Sequence, residues 1–289
     1  MCSVIVLYRP GHYWPVLIAA NRDEMVSRPW RAPDRHWPER PDVVGGLDVL
    51  AGGSWFGLND RGVMATILNR VGTLGPAAGK RSRGTLVLEA LEHASAQAAA
   101  DLFRFREGAE YRAFNMLIAD GVAAYWVCHR EDGGPVQVQI LSPGVSMLAG
   151  FDLNDDHDPR IRAYGPTFRL APPPVPESGD WSAWQALLAS RTFAPEAGPK
   201  GAMCFMTGTG FGTGSSSLMA LPAPRLGRAP LWLFAAGPPD RTAHERITAL
   251  ESGKQREGIV RTVESGQLPP HTRSAASFKG MDHASADQW

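Results

Sequence analysis

The chain has 289 residues, and its 29 Lys and Arg residues balance its 29 Asp and Glu residues, so the formal net charge is zero. A neutral chain lacks the broad basic face that grips nucleic acid or an anionic membrane, so we expect neither as a partner. Hydrophobic residues make up 44% of the chain and charged residues 20%, which is typical of a folded globular protein.

The three cysteines, Cys2, Cys128 and Cys204, are widely and irregularly spaced. An odd number at such spacing excludes a disulfide framework and a zinc-ligand set, and it predicts a reduced, cytoplasmic protein. The apolar run at residues 3–8 is too short for a signal peptide, and no stretch approaches the ~18 apolar residues of a membrane span. We therefore expect no membrane insertion.

Short apolar runs bounded by turn residues predict strands along most of the chain. We place them at residues 3–8, 15–20, 54–59, 62–69, 113–119, 122–129, 136–141, 145–149, 202–206, 213–221 and 230–236. The run Asn59-Asp60-Arg61-Gly62 predicts one tight hairpin, and Asp132-Gly133-Gly134 predicts another.

Helical periodicity predicts four helices between the strand clusters. They are expected after Ser82, at residues 95–105, from Asp158 as N-cap with Pro159 in the first turn, and at residues 180–189. This order predicts two antiparallel or mixed sheets covered by helical layers. We expect one domain over residues 1–250, with a short helix near 241–250, and a polar, poorly ordered tail at 251–289.

Cys2 is the first candidate for chemistry because it directly follows the initiator methionine. Removal of Met1 would leave a residue with both a thiol and a free α-amine, and an α-amine with an ordinary pKa of ~7.7–8.0 accepts a proton near neutrality. Nucleophile and base would then belong to one residue. The alternative is a small apolar residue that starts a buried strand, because free cysteines are among the most buried residue types.

The polar run Asn21-Arg22-Asp23-Glu24 directly follows the second predicted strand. A hairpin of the first two strands would bring this run beside Cys2, where an arginine lowers a thiol pKa and binds a carboxylate or carbonyl group. Asp23 would orient the α-amine. The alternative is a solvated strand end with an Arg–Asp ion pair.

Three further candidates come from position in the chain. Asn69 ends a predicted strand, from which its amide can donate to an oxyanion. His12 lies in the turn after the first strand, and we expect it near Cys2. The run at residues 154–158 is rich in oxygen ligands but lacks the spacing of a calcium loop, so it predicts a loop and a helix cap, with no metal site.

Several of these segments together resemble the NRDE family, which is named for transport and Golgi organisation in its eukaryotic members and also has many bacterial ones. The resemblance rests on Met1-Cys2, Asn21-Arg22-Asp23-Glu24, Leu50-Ala51-Gly52-Gly53-Ser54-Trp55-Phe56-Gly57, Asn69-Arg70, Ser82-Arg83-Gly84 and Gly212-Thr213-Gly214-Ser215-Ser216-Ser217. It spans roughly residues 1–240 and is most specific in the N-terminal third.

The family is similar to N-terminal-nucleophile hydrolases of the penicillin V acylase and bile-salt hydrolase kind. The resemblance therefore implies an α+β fold, a four-layer αββα sandwich. It implies that Cys2 is the nucleophile, its α-amine the base, Arg22 and Asp23 its supports, and Asn69 the oxyanion donor. Substrate-binding residues would be Asn21, Glu24, Trp55 and His12.

Two positions depart from the family pattern. Gly214 stands where the late motif usually carries an arginine, and Asn154 matches poorly the place of a second oxyanion asparagine. Both departures concern stabilisation of the transition state rather than the nucleophile.

Two functions remain open from the sequence. One is a cysteine amidohydrolase or acyltransferase acting on the C–N bond of a small, linear, non-peptide amide. The other, which the resemblance also implies, is a non-enzymatic carrier or chaperone for haem, acyl-CoA or lipid on the same fold. Both predict a small-molecule partner in a pocket and no resident cofactor, with haem at most a carried ligand. A purely structural protein is disfavoured because buried polar groups are costly without partners.

Overall fold

The strands of this protein pair into two sheets in a computed structural model that describes residues 2–250. Neighbouring strands of both sheets are antiparallel. The first sheet contains, in spatial order, β10 (Gly144–Leu148), β1 (Ser3–Tyr8), β2 (Val16–Met25), β11 (Phe211–Leu221), β12 (Leu231–Ala235) and β13 (Glu245–Arg246). The second contains β3 (Trp30–Asp34), β4 (Val43–Asp48), β5 (Ser54–Asn59), β6 (Met64–Asn69), β7 (Phe114–Ala119), β8 (Ala124–His129) and β9 (Gln137–Ile140).

Helices flank the sheets at the four predicted places. They are α1 (Gly84–Ala90), α2 (Ala96–Arg104), α3 (Pro159–Leu170) and α4 (Ser182–Leu188). Asp158 caps α3 as predicted, because its carboxylate accepts hydrogen bonds from the backbone N–H groups of Arg160 and Ile161. Within the described residues, no helix is both long and apolar enough to cross a membrane.

Three hydrophobic clusters define the order of the layers. The first contains residues of both sheets, such as Ile18 of β2 and Leu58 of β5, and therefore lies between them. The second joins the outer face of the second sheet to α1 and α2, and the third joins the outer face of the first sheet to α3 and α4. The layers run helices, sheet, sheet, helices, which confirms the predicted αββα sandwich of the α+β class.

The structure corrects several predicted elements. Strands β3 and β4 were not expected, because β3 contains Pro33 and β4 contains Gly45 and Gly46, which are poor strand formers. Residues 202–206 are not a strand but an irregular buried segment with one isolated bridge, and β13 lies where a helix at 241–250 was expected. The predicted tail at 251–289, and with it the predicted domain boundary, lies outside the described residues.

Strand β2 extends five residues beyond the predicted end, so the run Asn21–Glu24 lies within the strand and not after it. Its pairing with β11 continues from Val16 to Met25, and these backbone hydrogen bonds outweigh the low strand propensity of Asn and Asp. Side chains of a strand alternate between its two faces. Ile18 and Ala20 face the second sheet, so the alternation directs Asn21 and Asp23 towards the helices and Arg22 towards the second sheet.

Candidate active site

Cys2 immediately precedes β1 and lies beside the polar part of β2. Ser3 pairs with Asn21 in the antiparallel ladder, so the residue before Ser3 adjoins Arg22 and Asp23. The Cys2 sulfur accepts a hydrogen bond from the backbone N–H of Asp23 at 3.4 Å and donates to the Asp23 carbonyl oxygen at 3.6 Å. The hairpin thus brings together Cys2 and the polar run, as the sequence predicted.

Arg22 lies between the two sheets, against an aromatic ring of the opposite sheet. Its Cζ is 4.4 Å from the centroid of the Trp55 ring, which is a cation–π contact. Trp30 in turn contacts Trp55 edge-on, with ring centroids 5.8 Å apart. Burial lowers the pKa of Arg22. In the described part of the chain no carboxylate lies within ion-pair distance of it, so Trp55 is the group that positions this cation.

Asp23 faces the helix layer and forms a buried ion pair. Its Oδ2 accepts a hydrogen bond from Nη1 of Arg160 at 2.9 Å, and its Oδ1 accepts one from the Thr213 hydroxyl at 2.8 Å. Arg160 also donates to the Lys200 carbonyl oxygen at 3.0 Å, and its guanidinium lies over the Phe205 ring at 5.4 Å. Asp23 therefore connects β2, which carries the thiol contact, to the first turn of α3.

Asn21 has a structural role in this fold. Its Nδ2 donates to the carbonyl oxygens of Leu188 at 3.0 Å and Met203 at 2.9 Å, and the residue is buried. Both amide hydrogens are thereby used, and Asn21 does not line the large cleft described next. A contact between Asn21 and a substrate stays a prediction, since strand alternation turns this side chain towards the helices.

A cleft of about 690 Å³ opens at Cys2, within the size range of small-molecule sites. Six of the eight predicted site residues line it, namely Cys2, Arg22, Asp23, Glu24, Trp55 and Asn69. The loop from Leu74 to Arg83 forms another part of its wall, together with Arg112. The polar run of β2 and the end of β6 thus meet at one cavity, although they belong to different sheets.

Asn69 ends β6, on the opposite side of the cleft from the first sheet. Within residues 2–250 its side-chain amide has no hydrogen-bond partner, whereas Arg70 next to it is bound by Asn115 and Asp152. An amide without a partner at the edge of a cleft is available as a donor to a ligand. Glu24 also lines the cleft, and its carboxylate lies 3.9 Å from Nε of Arg28.

Two residues predicted near Cys2 lie elsewhere. His12 is in the exposed turn at the far end of the β1–β2 hairpin, where its Nδ1 accepts a hydrogen bond from the Trp14 backbone, so its predicted proximity to Cys2 is wrong. Six strand residues separate the two ends of β1, a distance of about 20 Å. Asn154 bonds to Met147 and Ser146 in a loop, so it does not replace a second oxyanion donor in the cleft.

The run before α3 forms a loop and a cap, in agreement with the sequence prediction. Asp155, Asp156 and His157 bring potential ligand atoms within 4.8 Å of one another on the surface. Asp155 accepts hydrogen bonds from both the backbone and the ring of His157, which holds these two residues together.

Burial raises the pKa of the Cys2 thiol above its ordinary value of 9.0, and the Asp23 carboxylate adds to the rise. Arg22 acts in the opposite direction, as predicted, but its effect is smaller than that of burial. The net shift of the thiol pKa is therefore upward, although Arg22 lowers it. Cys2 is a protonated thiol at neutral pH, and any attack by it needs a base.

Sequence reasoning missed three arginines that shape this region. Arg160 follows a helix cap, yet it is 137 residues from Asp23, and no sequence pattern links the two. Arg83 appeared only as part of a resembling motif, and Arg112 belonged to no motif. Arg83 directly precedes α1 and Arg112 lies shortly before β7, and both line the cleft in the folded chain. Hydrophobic periodicity in a single sequence does not show that these two segments meet.

The layers and the cleft define an α+β sandwich with a cysteine directly before its first strand. Residues 1–160 match the protein family described as Transport and Golgi organisation 2, and this is more than half of the chain. The chain belongs to that family.

Curated relatives agree with this assignment. The chain is 31% identical over 160 residues to the Transport and Golgi organization protein 2 homolog of Bos taurus, and 30% identical over 161 residues to that of Homo sapiens. The matching regions cover 52% of this chain and 56% of each relative, so the chain spans about half the length of the curated relatives it matches.

Two solved structures are similar to this chain at low sequence identity. A Caenorhabditis elegans ortholog of N-acylethanolamine-hydrolyzing acid amidase has a TM-score of 0.48 and 14% identity, with 77% of this chain and 93% of that chain covered. A mutant of the conjugated bile acid hydrolase from Clostridium perfringens has a TM-score of 0.46 and 12% identity, with 86% and 96% covered. Likenesses at these scores transfer no activity to this chain.

Proposed function

We propose that this protein is a cysteine amidohydrolase or acyltransferase that acts on a small non-peptide amide, with Cys2 as its nucleophile. The observation that carries the proposal is the position of the Cys2 thiol, at a cleft of about 690 Å³ that Arg22, Asp23 and Asn69 also line. A thiol, a cation and an unpartnered amide around one cavity are the groups that acyl transfer uses.

Removal of Met1 supplies the base in this proposal. The burial that raises the thiol pKa leaves Cys2 protonated at neutral pH, and a free α-amine on the same residue is a base with an ordinary pKa of ~7.7–8.0. The α-amine accepts the thiol proton, and the thiolate attacks the amide carbonyl carbon, forming a C–S bond. The Asn69 amide donates a hydrogen bond to the oxygen on which negative charge develops.

The remaining steps release the two products. The C–N bond breaks, the α-ammonium returns its proton to the leaving amine, and the acyl group stays on Cys2 as a thioester. Water then attacks the thioester carbonyl carbon while the α-amine takes one of its protons. The C–S bond breaks, the α-ammonium returns that proton to the sulfur, and the carboxylic acid leaves. A second amine in place of water gives acyl transfer. Arg22, held over Trp55, is the cation that orients the substrate carbonyl or an acidic group beside it.

The experiment combines N-terminal analysis with labelling of the thiol. Mass spectrometry of the purified chain is expected to find Cys2 as the first residue, and an acylating probe such as a β-lactone is expected to add one acyl group. Cys2→Ala should abolish the labelling. The control variant Cys204→Ala should leave it intact, because Cys204 is buried and forms a hydrogen bond with Asp240. An intact Met1, or labelling unchanged in Cys2→Ala, would overturn the proposal.

The second candidate function is a non-enzymatic carrier of haem, acyl-CoA or lipid in the same cleft. The size of the cleft favours it, together with apolar lining residues such as Leu50, Ile67, Leu74 and Phe211. In the described part of the chain no histidine lines the cleft, so the sulfur atoms of Cys2 and Met25 are its candidate ligands for haem iron. Haem titration tests the haem version of this function, because a haem carrier gives a Soret shift at micromolar haem without any acylated Cys2. A flat titration would exclude haem as the ligand and leave acyl-CoA and lipid open.

A further inference from the structure

Three arginines of the cleft lack a carboxylate partner. Arg22, Arg83 and Arg112 all line it, and none of them forms an ion pair in the described part of the chain. The other cations of the lining are paired: Arg28 with Asp48 at 2.7 Å, Lys80 with Glu131 at 3.5 Å, and Arg81 with Glu110 at 3.3 Å. The cleft therefore carries an excess of positive charge in a protein whose net charge is zero.

Arg83 and Arg112 are held in place by neutral groups. Nη1 of Arg83 donates to the Ala113 carbonyl oxygen at 2.9 Å and to the Thr73 hydroxyl at 3.1 Å. Arg112 donates to the carbonyl oxygens of Leu74 at 2.9 Å and Gly72 at 3.0 Å. Both guanidinium groups thus bind the loop at residues 72–74. Their other N–H groups remain for a ligand, since a guanidinium has five donors.

The two guanidinium groups also repel each other. Burial lowers the pKa of Arg83 to about 10, and the charge of Arg112 contributes to that shift. The Glu131 carboxylate raises the pKa of Arg83, and the Cys2 sulfur and the Glu24 carboxylate raise it by smaller amounts. An anion bound beside both guanidinium groups would offset their repulsion and accept hydrogen bonds from their remaining N–H groups.

We propose that Arg83 and Arg112 form an anion-binding subsite of the cleft, which takes the carboxylate or phosphate group of an amphiphilic ligand. The apolar part of that ligand lies against Leu74, Ile67 and Trp55, which line the same cavity. The inference extends the proposed function, since it assigns the substrate class as an acyl amide that carries an acidic group. The anion subsite itself does not depend on the reaction, because binding needs no nucleophile.

The test measures binding in a Cys2→Ala background, where acylation is impossible. Calorimetric titrations use decanoate as a carboxylate amphiphile, decyl phosphate as its phosphate counterpart, inorganic phosphate as an anion without a chain, and decanol as the neutral control. We expect decanoate or decyl phosphate to bind at least tenfold more tightly than decanol, with an affinity that falls as salt concentration rises. The stronger of the two amphiphiles identifies the acidic group.

Variants separate the subsite from a general charge effect. Arg83→Met and Arg112→Met should each weaken binding of the preferred amphiphile about tenfold. Arg40→Met removes the same charge from a surface residue paired with Glu92 outside the cleft, and it should leave the affinity unchanged. Arg83→Lys keeps the charge and should retain part of the affinity, which controls for any loss of folding in Arg83→Met.

Three results would overturn the subsite: equal binding of decanol, equal affinities of the Arg83→Met and Arg40→Met variants, or no binding of either amphiphile. Failure of the proposed function looks different. If the thiol of the unaltered chain never becomes acylated while decanoate still binds through Arg83 and Arg112, the enzyme proposal fails and the anion subsite stands.

Discussion

The carboxylate of Asp23 and the guanidinium of Arg160 form an ion pair at 2.9 Å that is almost wholly shielded from water, with side-chain exposures of 0% and 3%. The pair joins β2 to α3 across 137 residues of chain. Removing one member of such a pair takes an ion-pair contact from a charge that stays in a medium of low polarity, which costs more than the pair itself contributes.

Arg160→Met is therefore expected to lower the free energy of unfolding by about 3–5 kcal/mol. The double variant Asp23→Asn/Arg160→Met removes both charges and should be more stable than the single variant. Urea unfolding followed by tryptophan fluorescence measures both. A loss below about 1 kcal/mol in Arg160→Met would mean that solvent reaches the pair, contrary to its geometry.

The pH dependence of Cys2 alkylation tests the electrostatics of the thiol. Because burial raises its pKa, the rate of reaction with iodoacetamide should rise with pH and reach half of its maximum above pH 9.0. Arg22→Gln removes a cation that favours the thiolate, so the midpoint should move still higher. Mass spectrometry of the Cys2 peptide against time gives the rates, and a midpoint below that of a free cysteine would contradict the expected direction.

The close approach of Gly53 to Gly84 shapes the wall of the cleft. A Cβ atom on Gly53 would lie 2.5 Å from the backbone carbonyl carbon of Gly84, and backbone cannot move aside as a flexible side chain can. Gly53→Ala should therefore destabilise the fold by about 1–3 kcal/mol. Gly208→Ala is the matched control, because a Cβ there meets nothing within 4 Å. Equal unfolding midpoints for the two variants would argue against the contact.

His244 predicts a loss of stability in acid. Its Nε2 lies 3.1 Å from the Ser216 hydroxyl, and burial lowers its pKa from 6.5 to about 4. The unfolded chain then binds the proton more tightly than the folded one, so this contribution to stability is complete above pH 6.5 and falls as the pH drops towards 4.

The expected loss from His244 is at most about 3 kcal/mol, the free energy that corresponds to the shift in its pKa. Urea unfolding at several pH values between 4 and 7 gives the free energy of unfolding at each pH. This free energy should change less with pH in His244→Asn than in the unaltered chain. The same change with pH in both chains would assign the acid sensitivity to other groups.

The sequence predicted the layers of the fold better than the geometry of the site. Alternating apolar residues and hairpin signals identify most strands, and the two sheets follow from their clustering. The closeness of Cys2 to Arg22 and Asp23 was predictable because one short hairpin determines it. The Asp23 partner was not, since Arg160 reaches it only when α3 packs on the first sheet. The hydrogen bonds of Asn21 to Leu188 and Met203 were not predictable either, because the end of β2 was placed too early and strand alternation was not applied to Asn21.

Because β2 pairs with strands on both sides, the order of its four polar residues determines which side chain faces the helices and which faces the second sheet. Because successive side chains leave opposite faces of the sheet, a chain with the same residues in the order Arg-Asn-Glu-Asp would present its arginine to the carbonyl oxygens of Leu188 and Met203, and an asparagine to Trp55. Composition at this position is therefore not enough to preserve the cleft. A single residue inserted or deleted upstream in β2 would exchange the faces of all four side chains. Relatives with the same function should therefore keep the same number of residues between the start of β2 and its arginine.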